Sequence, residues 1–214
     1  MKTRSKALLL TLCAVLLVTA SVLGTMAYLT SQDTVTNTFS VGSVAIKLDE
    51  AKANPDGSLV KGAERVKANS YKLLPGHTYN KDPMVTVLKG SEDSYIKMTV
   101  TFSNASALDA IFDPDGANLT TIFNGYDSSN WTYKGNTKNA ADNTRTYEFW
   151  YKEAVAAPDG NVALDALFDS ITVPGSITNE QLKTIEGMTI TVNAYAIQAD
   201  GFANAEAAWV AYTG

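Results

Sequence analysis

Tyr95-Ile96-Lys97-Met98-Thr99-Val100-Thr101-Phe102 is the most regular stretch of this 214-residue sequence. Apolar side chains at the even positions alternate with polar or amphipathic side chains at the odd ones. A period of two with β-branched residues is typical of a strand that has one buried and one solvated face. This arrangement belongs to antiparallel sheets, since parallel sheets are buried on both faces. The stretch therefore predicts an antiparallel strand at the centre of the fold.

Other extended segments lie on both sides of this strand. The segment 34–48 changes its apolar phase at Gly42-Ser43, which predicts a bulge or kink, because one extra residue reverses the side-chain face. Two polar segments, 49–70 and 135–144, are predicted as surface loops, the first with a turn at Asn54-Pro55-Asp56-Gly57. The remaining predicted strands are 84–88, 131–134, 145–152, 171–173 and 188–198.

Short helices are predicted only in the connections between strands. Asn104 is a candidate N-cap, Thr178 with Gln181 forms a capping box, and Asn204 can cap a last helix over 205–212. A single helical turn is predicted at 119–123. Regular alternation of strands and helices is missing from the sequence, which disfavours a parallel sheet. We therefore predict a mainly β fold, an antiparallel β-sandwich of jelly-roll type with a few short helices.

The N-terminus has the order of a secretory signal peptide. Lys2, Arg4 and Lys6 precede an apolar run over 7–23, and the small-residue site Thr25-Met26-Ala27 follows. We predict a signal peptide over 1–27, cleavage between Ala27 and Tyr28, and one domain over 28–214. The alternative is a transmembrane anchor, but seventeen residues is about the lower limit for spanning a bilayer. The expected location is outside the cell, without a stable membrane anchor after cleavage.

Net charge and cysteine content indicate which partners and which cell exterior the exported protein fits. Cleavage would leave 14 of the 17 basic residues against 22 acidic ones, a net charge of −8, which argues against a nucleic-acid partner. The only cysteine, Cys13, would leave with the signal peptide. The mature chain would then have no disulfide, which suits the exterior of a Gram-positive bacterium better than a eukaryotic one.

Residues for catalysis or metal binding are few. His77 is the only histidine, no HExxH motif is present, and no serine lies in a nucleophile elbow. We therefore predict that the protein is not an enzyme and needs no cofactor or metal. Asp113 and Asp115 leave open a weak calcium site, although turn-forming aspartates explain this sequence more simply.

Aromatic residues raise a second functional class. Tyr126, Trp131 and Tyr133 could form a stacking surface for a carbohydrate such as a matrix polysaccharide, if their rings were exposed. The alternative is that they are core residues. Tyr147, Phe149 and Tyr151 alternate along one strand and are predicted to face the core.

Two N-terminal motifs carry a resemblance to a known family. Gly24-Thr25-Met26-Ala27-Tyr28-Leu29-Thr30 and Asn37-Thr38-Phe39-Ser40-Val41-Gly42-Ser43-Val44 resemble the start of TasA/camelysin-type proteins. The likeness continues at Leu74-Pro75-Gly76 and Lys81-Asp82 and returns at 194–202. These are exported Gram-positive proteins that a SipW-type signal peptidase processes.

The resemblance implies a jelly-roll domain that is exported to the biofilm matrix or cell surface. It also implies a homo-oligomer, a head-to-tail filament in which the N-terminal strand of one subunit completes the sheet of the next. In this chain the exchanged strand would be 28–39, with Tyr28, Leu29, Val35, Asn37 and Phe39 at the contact. We expect a fibre subunit on this basis. The alternatives are a monomeric carbohydrate- or surface-binding module and, less favoured, a camelysin-like peptidase.

Overall fold

The computed structural model describes residues 11–17, 42–112 and 119–212. Residues 11–17 are helical with exposed side chains and include Cys13. Among the described residues, no helix has the length and apolar character needed to cross a membrane. Several predictions concern residues outside the described ranges: the cleavage site at Ala27, the calcium site at Asp113 and Asp115, and the exchanged-strand residues Tyr28, Leu29, Val35, Asn37 and Phe39.

Gly42–Gly214 forms one compact unit that contains all ten described strands. The strands are β1 (Ile46–Asp49), β2 (Thr78–Asn80), β3 (Met84–Val87), β4 (Ser91–Phe102), β5 (Trp131–Asn139), β6 (Thr144–Tyr151), β7 (Val155–Ala157), β8 (Val162–Ala163), β9 (Ser170–Thr172) and β10 (Ile190–Gln198). The helices in this unit are α1 (Ala105–Ile111), α2 (Leu119–Ile122), α3 (Asn179–Thr184) and α4 (Ala205–Tyr212).

These strands form three sheets in which all paired strands run antiparallel. The large sheet has the order β10-β4-β6-β5, with β7 beside the start of β4. A smaller sheet has the order β1-β3-β8, and β2 pairs with β9. The predicted class, mainly β and antiparallel with short helices in connections, is confirmed. The jelly-roll type stays a prediction.

The predicted helix caps are confirmed in their geometry. The Asn104 side chain accepts a hydrogen bond from Ala107 N at the start of α1. Thr178 and Gln181 form the reciprocal capping box of α3. Asn204 Oδ1 accepts from Ala207 N at the start of α4. Local side-chain chemistry thus determined where these helices begin.

One predicted boundary is wrong. Most of the predicted loop 135–144 is strand, because β5 continues to Asn139 and the turn spans 140–143. A β-bulge between Tyr133 and Gly135 explains the error. A bulge inserts one extra residue and shifts the side-chain alternation, so the apolar period stops although the strand continues.

The core lies against the inner face of the large sheet. Ile96, Met98, Val100 and Phe102 on β4 are completely buried, as the alternation predicted. Phe123, which follows α2, is at the centre of the aromatic packing. Its ring centroid lies 4.8–6.0 Å from those of four other aromatic rings, two of them edge-on, a favoured arrangement for aromatic pairs: Phe102, Tyr147, Phe149 and Phe168.

α4 covers part of the outer face of the large sheet around a buried lysine. Lys97 is only 6 % exposed, and its ammonium lies 4.6 Å from the ring centroid of Trp209 on α4. The rings of Tyr195 and Tyr212 are each 5.5 Å away, and the Glu148 carboxylate lies at 3.9 Å. Cation–π attraction and one carboxylate therefore replace the water that the ammonium loses on burial.

The polar loop 49–70 packs against the rest of the unit through a glycine turn. Gly57 has a φ of +86°, and a Cβ built there would lie 2.6 Å from the carbonyl oxygen of Thr78. Its own carbonyl accepts hydrogen bonds from the backbone and side-chain amides of Asn80. Only glycine fits both this backbone conformation and this close approach.

Substitutions at two loop glycines should separate these two requirements. Gly62→Ala, with a φ of +71° and open space around the new Cβ, should lose only about 1–3 kcal/mol of unfolding free energy through backbone strain. Gly57→Ala adds a clash with the backbone of β2 and should cost about 2 kcal/mol more. Urea denaturation of both variants measures the difference. Equal losses would show that the loop does not pack tightly at Gly57.

Candidate functional site

Sheet edges are where an antiparallel β protein can accept another strand, because their outer N–H and C=O groups have no partner in the sheet. The long edge strands here are β5 and β10 of the large sheet and β1 of the smaller one. Natural proteins protect such edges with charged side chains, bulges or covering loops. The three edges differ in this protection.

The β5 edge has two protective features. The bulge between Tyr133 and Gly135 interrupts its regular pairing. Lys134 and Lys138 place positive charges along it, paired with Glu206 at 3.0 Å and Asp109 at 2.8 Å respectively. A second strand would have to displace these ion pairs and match the irregular spacing. We therefore do not expect this edge to accept a strand.

The β1 edge is covered by the loop 49–70. Val66 exchanges two backbone hydrogen bonds with Glu50, directly after the strand, at 2.9 and 2.7 Å. The Lys67 ammonium donates to the carbonyl oxygen of Leu48. Arg65 donates to the backbone oxygen of Asp49 and to carboxylate oxygens of Asp49 and Asp82 at 2.6–3.2 Å. Outward groups at the end of β1 are thus already bonded.

Opposing effects act on the Asp49 carboxyl at this edge. Burial raises the pKa of Asp49, but hydrogen bonds from Lys47 and Arg65, with their positive charges, outweigh burial and hold the pKa below its ordinary value. Asp49 is consequently ionised throughout the neutral range. The arginine that covers the β1 edge therefore keeps its charged partner.

The β10 edge has no charge or bulge of its own, although β1 and the loop residues 67–69 lie beside its first residues. Its sequence, ITVNAYAIQ, contains no charge and no proline. The flanking hydrogen bonds from Ser103 N to Thr189 O and from Ala199 N to Asp93 O show that odd-numbered residues pair with β4. Backbone groups of the even-numbered residues must then point away from β4, because antiparallel pairs alternate. Within the described part of the chain, β4 is the only strand that pairs with β10.

A groove runs between the β10 edge and β1. Its volume is about 330 Å³, and Leu48, Ile190 and Val192 line its apolar part. Its polar part is lined by charged and amide side chains, namely Asp49, Glu50, Lys67, Asn69 and Lys81. The core-facing side chains of β10 are only half-buried. A further strand on this edge would therefore gain backbone hydrogen bonds and remove apolar side chains from water.

The sequence prediction named a donor strand but no acceptor. The sequence analysis did not single out the β10 edge, even though 188–198 was predicted as a long strand. One signal could have identified this edge: β10 has no charged residue, whereas the sequences of the other two long edge strands, β1 and β5, are charged. Which strand of a sheet is an edge follows from topology, however, and topology is not visible in the sequence.

Residues predicted for other functions lie elsewhere. Trp131 is 1 % exposed and its Nε1 donates to the backbone oxygen of Asp165. The Tyr126 hydroxyl donates to Trp131 O, and the Tyr133 ring packs against Phe149. These rings belong to the core, so polysaccharide binding stays a prediction without a stacking surface. His77 is exposed in a turn, and the described residues contain no cluster of three or more metal-ligating His, Cys, Asp or Glu side chains.

Comparison with known proteins finds no match among protein-family models, curated proteins or solved structures. The candidate site is therefore defined by its own geometry: an uncharged strand edge without a bulge, beside a partly apolar groove.

Two proline substitutions test the orientation of backbone groups in β10. Ala194→Pro removes an N–H that points away from β4 and should cost no more than about 1 kcal/mol of unfolding free energy. Asn193→Pro removes an N–H that bonds to β4 and should cost about 3 kcal/mol or more. Thermal and urea denaturation compare them. The reverse order would show that the outward residues are the odd-numbered ones.

Acid denaturation tests the ion pair that covers β1. Asp49→Asn should lower the unfolding free energy at neutral pH by about 2 kcal/mol, since hydrogen bonds between charged partners are lost. The pKa of Asp49 is lower in the folded state, so its stabilisation is complete above the unfolded pKa of about 3.9 and disappears as the pH falls through the folded pKa. When denaturation is measured at a series of pH values, the unfolding free energies of the wild type and of Asp49→Asn should become equal in acid. A constant difference would contradict this role.

Proposed function

We propose that this chain is an exported, non-enzymatic subunit of a biofilm-matrix or cell-surface fibre, and that subunits join by β-strand addition. The observation that supports the proposal is the β10 edge, which has outward backbone groups, no charge and an adjoining groove. An exposed, long and uncharged edge is the kind of surface on which strand addition takes place. The resemblance of the N-terminus to TasA/camelysin-type proteins supplies the donor.

The donor is residues 28–39 of a second copy. Val35, Asn37 and Phe39 would share one face of an extended strand, which is the face that meets the groove. Val35 and Phe39 would cover the half-buried Ile190 and Val192. Asn37 would face the carboxylates of Asp49 and Glu50 in the groove, which can accept further hydrogen bonds. Each net hydrogen bond in such pairing contributes about 1 kcal/mol.

Donor and acceptor are different surfaces of the same chain. Such a contact is heterologous, and repetition of a heterologous contact that does not close gives an open filament. Cleavage by the signal peptidase before Tyr28 would release the donor for pairing. Export and assembly are thus coupled, because the strand stays attached to the membrane-targeting segment until the cut.

Removal of the donor should abolish assembly. Protein that begins at Tyr28 should form filaments, whereas protein that lacks residues 28–39 should stay monomeric at the same concentration. Electron microscopy and size-exclusion chromatography measure both. Monomers of both proteins, or filaments of both, would contradict the proposal.

A mixing experiment tests donor and acceptor separately. Ala194→Pro keeps the donor, but on β10 it removes an outward N–H and puts a proline ring where the added strand would lie. The truncated protein keeps the edge and loses the donor. Each alone should fail to extend, and together they should form a dimer that stops growing. Denaturation of Ala194→Pro is the control for its fold. Filaments of the Ala194→Pro protein alone would exclude β10 as the acceptor.

A further inference from the structure

A group of three side chains, two of them buried and Asn69 partly buried, joins the loop 49–70 to the segment between β2 and β3. The Lys81 ammonium donates to Glu50 Oε2 at 2.6 Å, and both side chains are nearly buried, with 10 % and 7 % exposure. Asn69 Nδ2 donates to the other oxygen of the same carboxylate, Oε1, at 3.0 Å. The amine and the amide are therefore neighbours around one carboxylate.

The Asn69 amide is held in a defined orientation. Its Nδ2 also donates to the backbone oxygen of Ala51 at 2.8 Å, and its Oδ1 accepts from the backbone N–H of Ala53 at 2.9 Å. These two backbone contacts fix which end of the amide is oxygen. The N–H of Ala53 thus points at the atom on which negative charge would develop if a nucleophile attacked the amide carbon.

We propose that Lys81 and Asn69 form an intramolecular isopeptide bond, with Glu50 as the proton-transfer group. The arrangement supplies a lysine nucleophile beside a base, an oriented amide and an oxyanion donor, which are the parts that acyl transfer requires. Fixing them in one folded site replaces a bimolecular encounter with an intramolecular step. The proposal is independent of strand addition.

The reaction balances without any other reactant. Glu50 takes a proton from the Lys81 ammonium, and the freed lone pair of Nζ forms a bond to Cγ of Asn69. The Cγ–Nδ2 bond breaks, and one proton from Nζ passes through Glu50 to the departing nitrogen, which leaves as ammonia. The other proton stays on Glu50. No atom changes its oxidation state.

Burial favours the product. Before reaction the site holds an ammonium and a carboxylate, and afterwards it holds an amide and a neutral carboxyl group. Two buried charges are thereby removed, and buried charges are costly even when they are paired. The bond would also join the loop 49–70, which covers the β1 edge, covalently to Lys81. A disulfide within the chain cannot supply such a link, because Cys13 is its only cysteine.

Intact-mass spectrometry of the folded, then denatured, exported protein tests the bond directly. The wild-type mass should fall below the sequence mass of the mature chain by one ammonia molecule, and a proteolytic digest should contain Lys81 joined to Asn69 in one cross-linked fragment. A full sequence mass would overturn the proposal, whatever the variants do.

Two lysine variants identify the nucleophile. Lys81→Arg keeps a cation beside Glu50 but cannot form the bond, so its mass should equal its full sequence mass. Lys72→Arg, at an exposed position before β2, should keep the loss of ammonia. A loss that persists in Lys81→Arg would overturn the proposal, since it would then come from another reaction such as succinimide formation at an asparagine.

Discussion

The alternation of side chains along β4 is the constraint on which the rest of the structure depends. Its even-numbered residues, from Ile96 to Phe102, are fully buried against the aromatic core, and its odd-numbered residues lie on the outer face, where Lys97 meets α4. A shift of one residue in pairing with β6 or β10 would exchange these two faces. It would place Lys97 in the core and Met98 among the polar groups of the outer face. The free-energy cost of placing the Lys97 charge in the core and Met98 on the outer face therefore fixes the register of the large sheet.

Edge protection explains why one strand of this sheet is a candidate interface and another is not. β5 carries two lysines and a bulge, whereas β10 carries none of these. Charges on an edge cost little in a monomer because water solvates them, but pairing with a second strand would desolvate them. At an uncharged edge, a second strand can pair without this desolvation cost. The composition of an edge thus affects assembly far more than it affects the stability of the single domain.

The loop 49–70 connects the two sites that the structure suggests. Arg65 and Lys67 bond to the backbone of β1, and Asn69 belongs to the group around Glu50 and Lys81. The loop therefore covers one strand edge and forms one wall of the groove beside the other. A covalent link from Asn69 to Lys81 would hold this wall in place while a strand is added at β10.

Local interactions are what the sequence by itself determined. The period of two in 95–102 and the caps at Asn104, Thr178 and Asn204 act within a few residues, so they were predicted correctly. The antiparallel class followed from the same local patterns. Export and the donor strand are also sequence predictions, but they concern residues outside the described ranges.

Only the tertiary structure decided the features that join distant segments. The bulge in β5 depends on pairing with β6, and the edge position of β10 depends on which strands are its neighbours. Glu50, Asn69 and Lys81 meet around one carboxylate although up to 31 residues separate them. Nothing in their local sequence indicates this contact, because it results from the packing of a polar loop against β2 and β3. Long-range pairing and burial, which no short sequence pattern encodes, gave the protein its candidate sites.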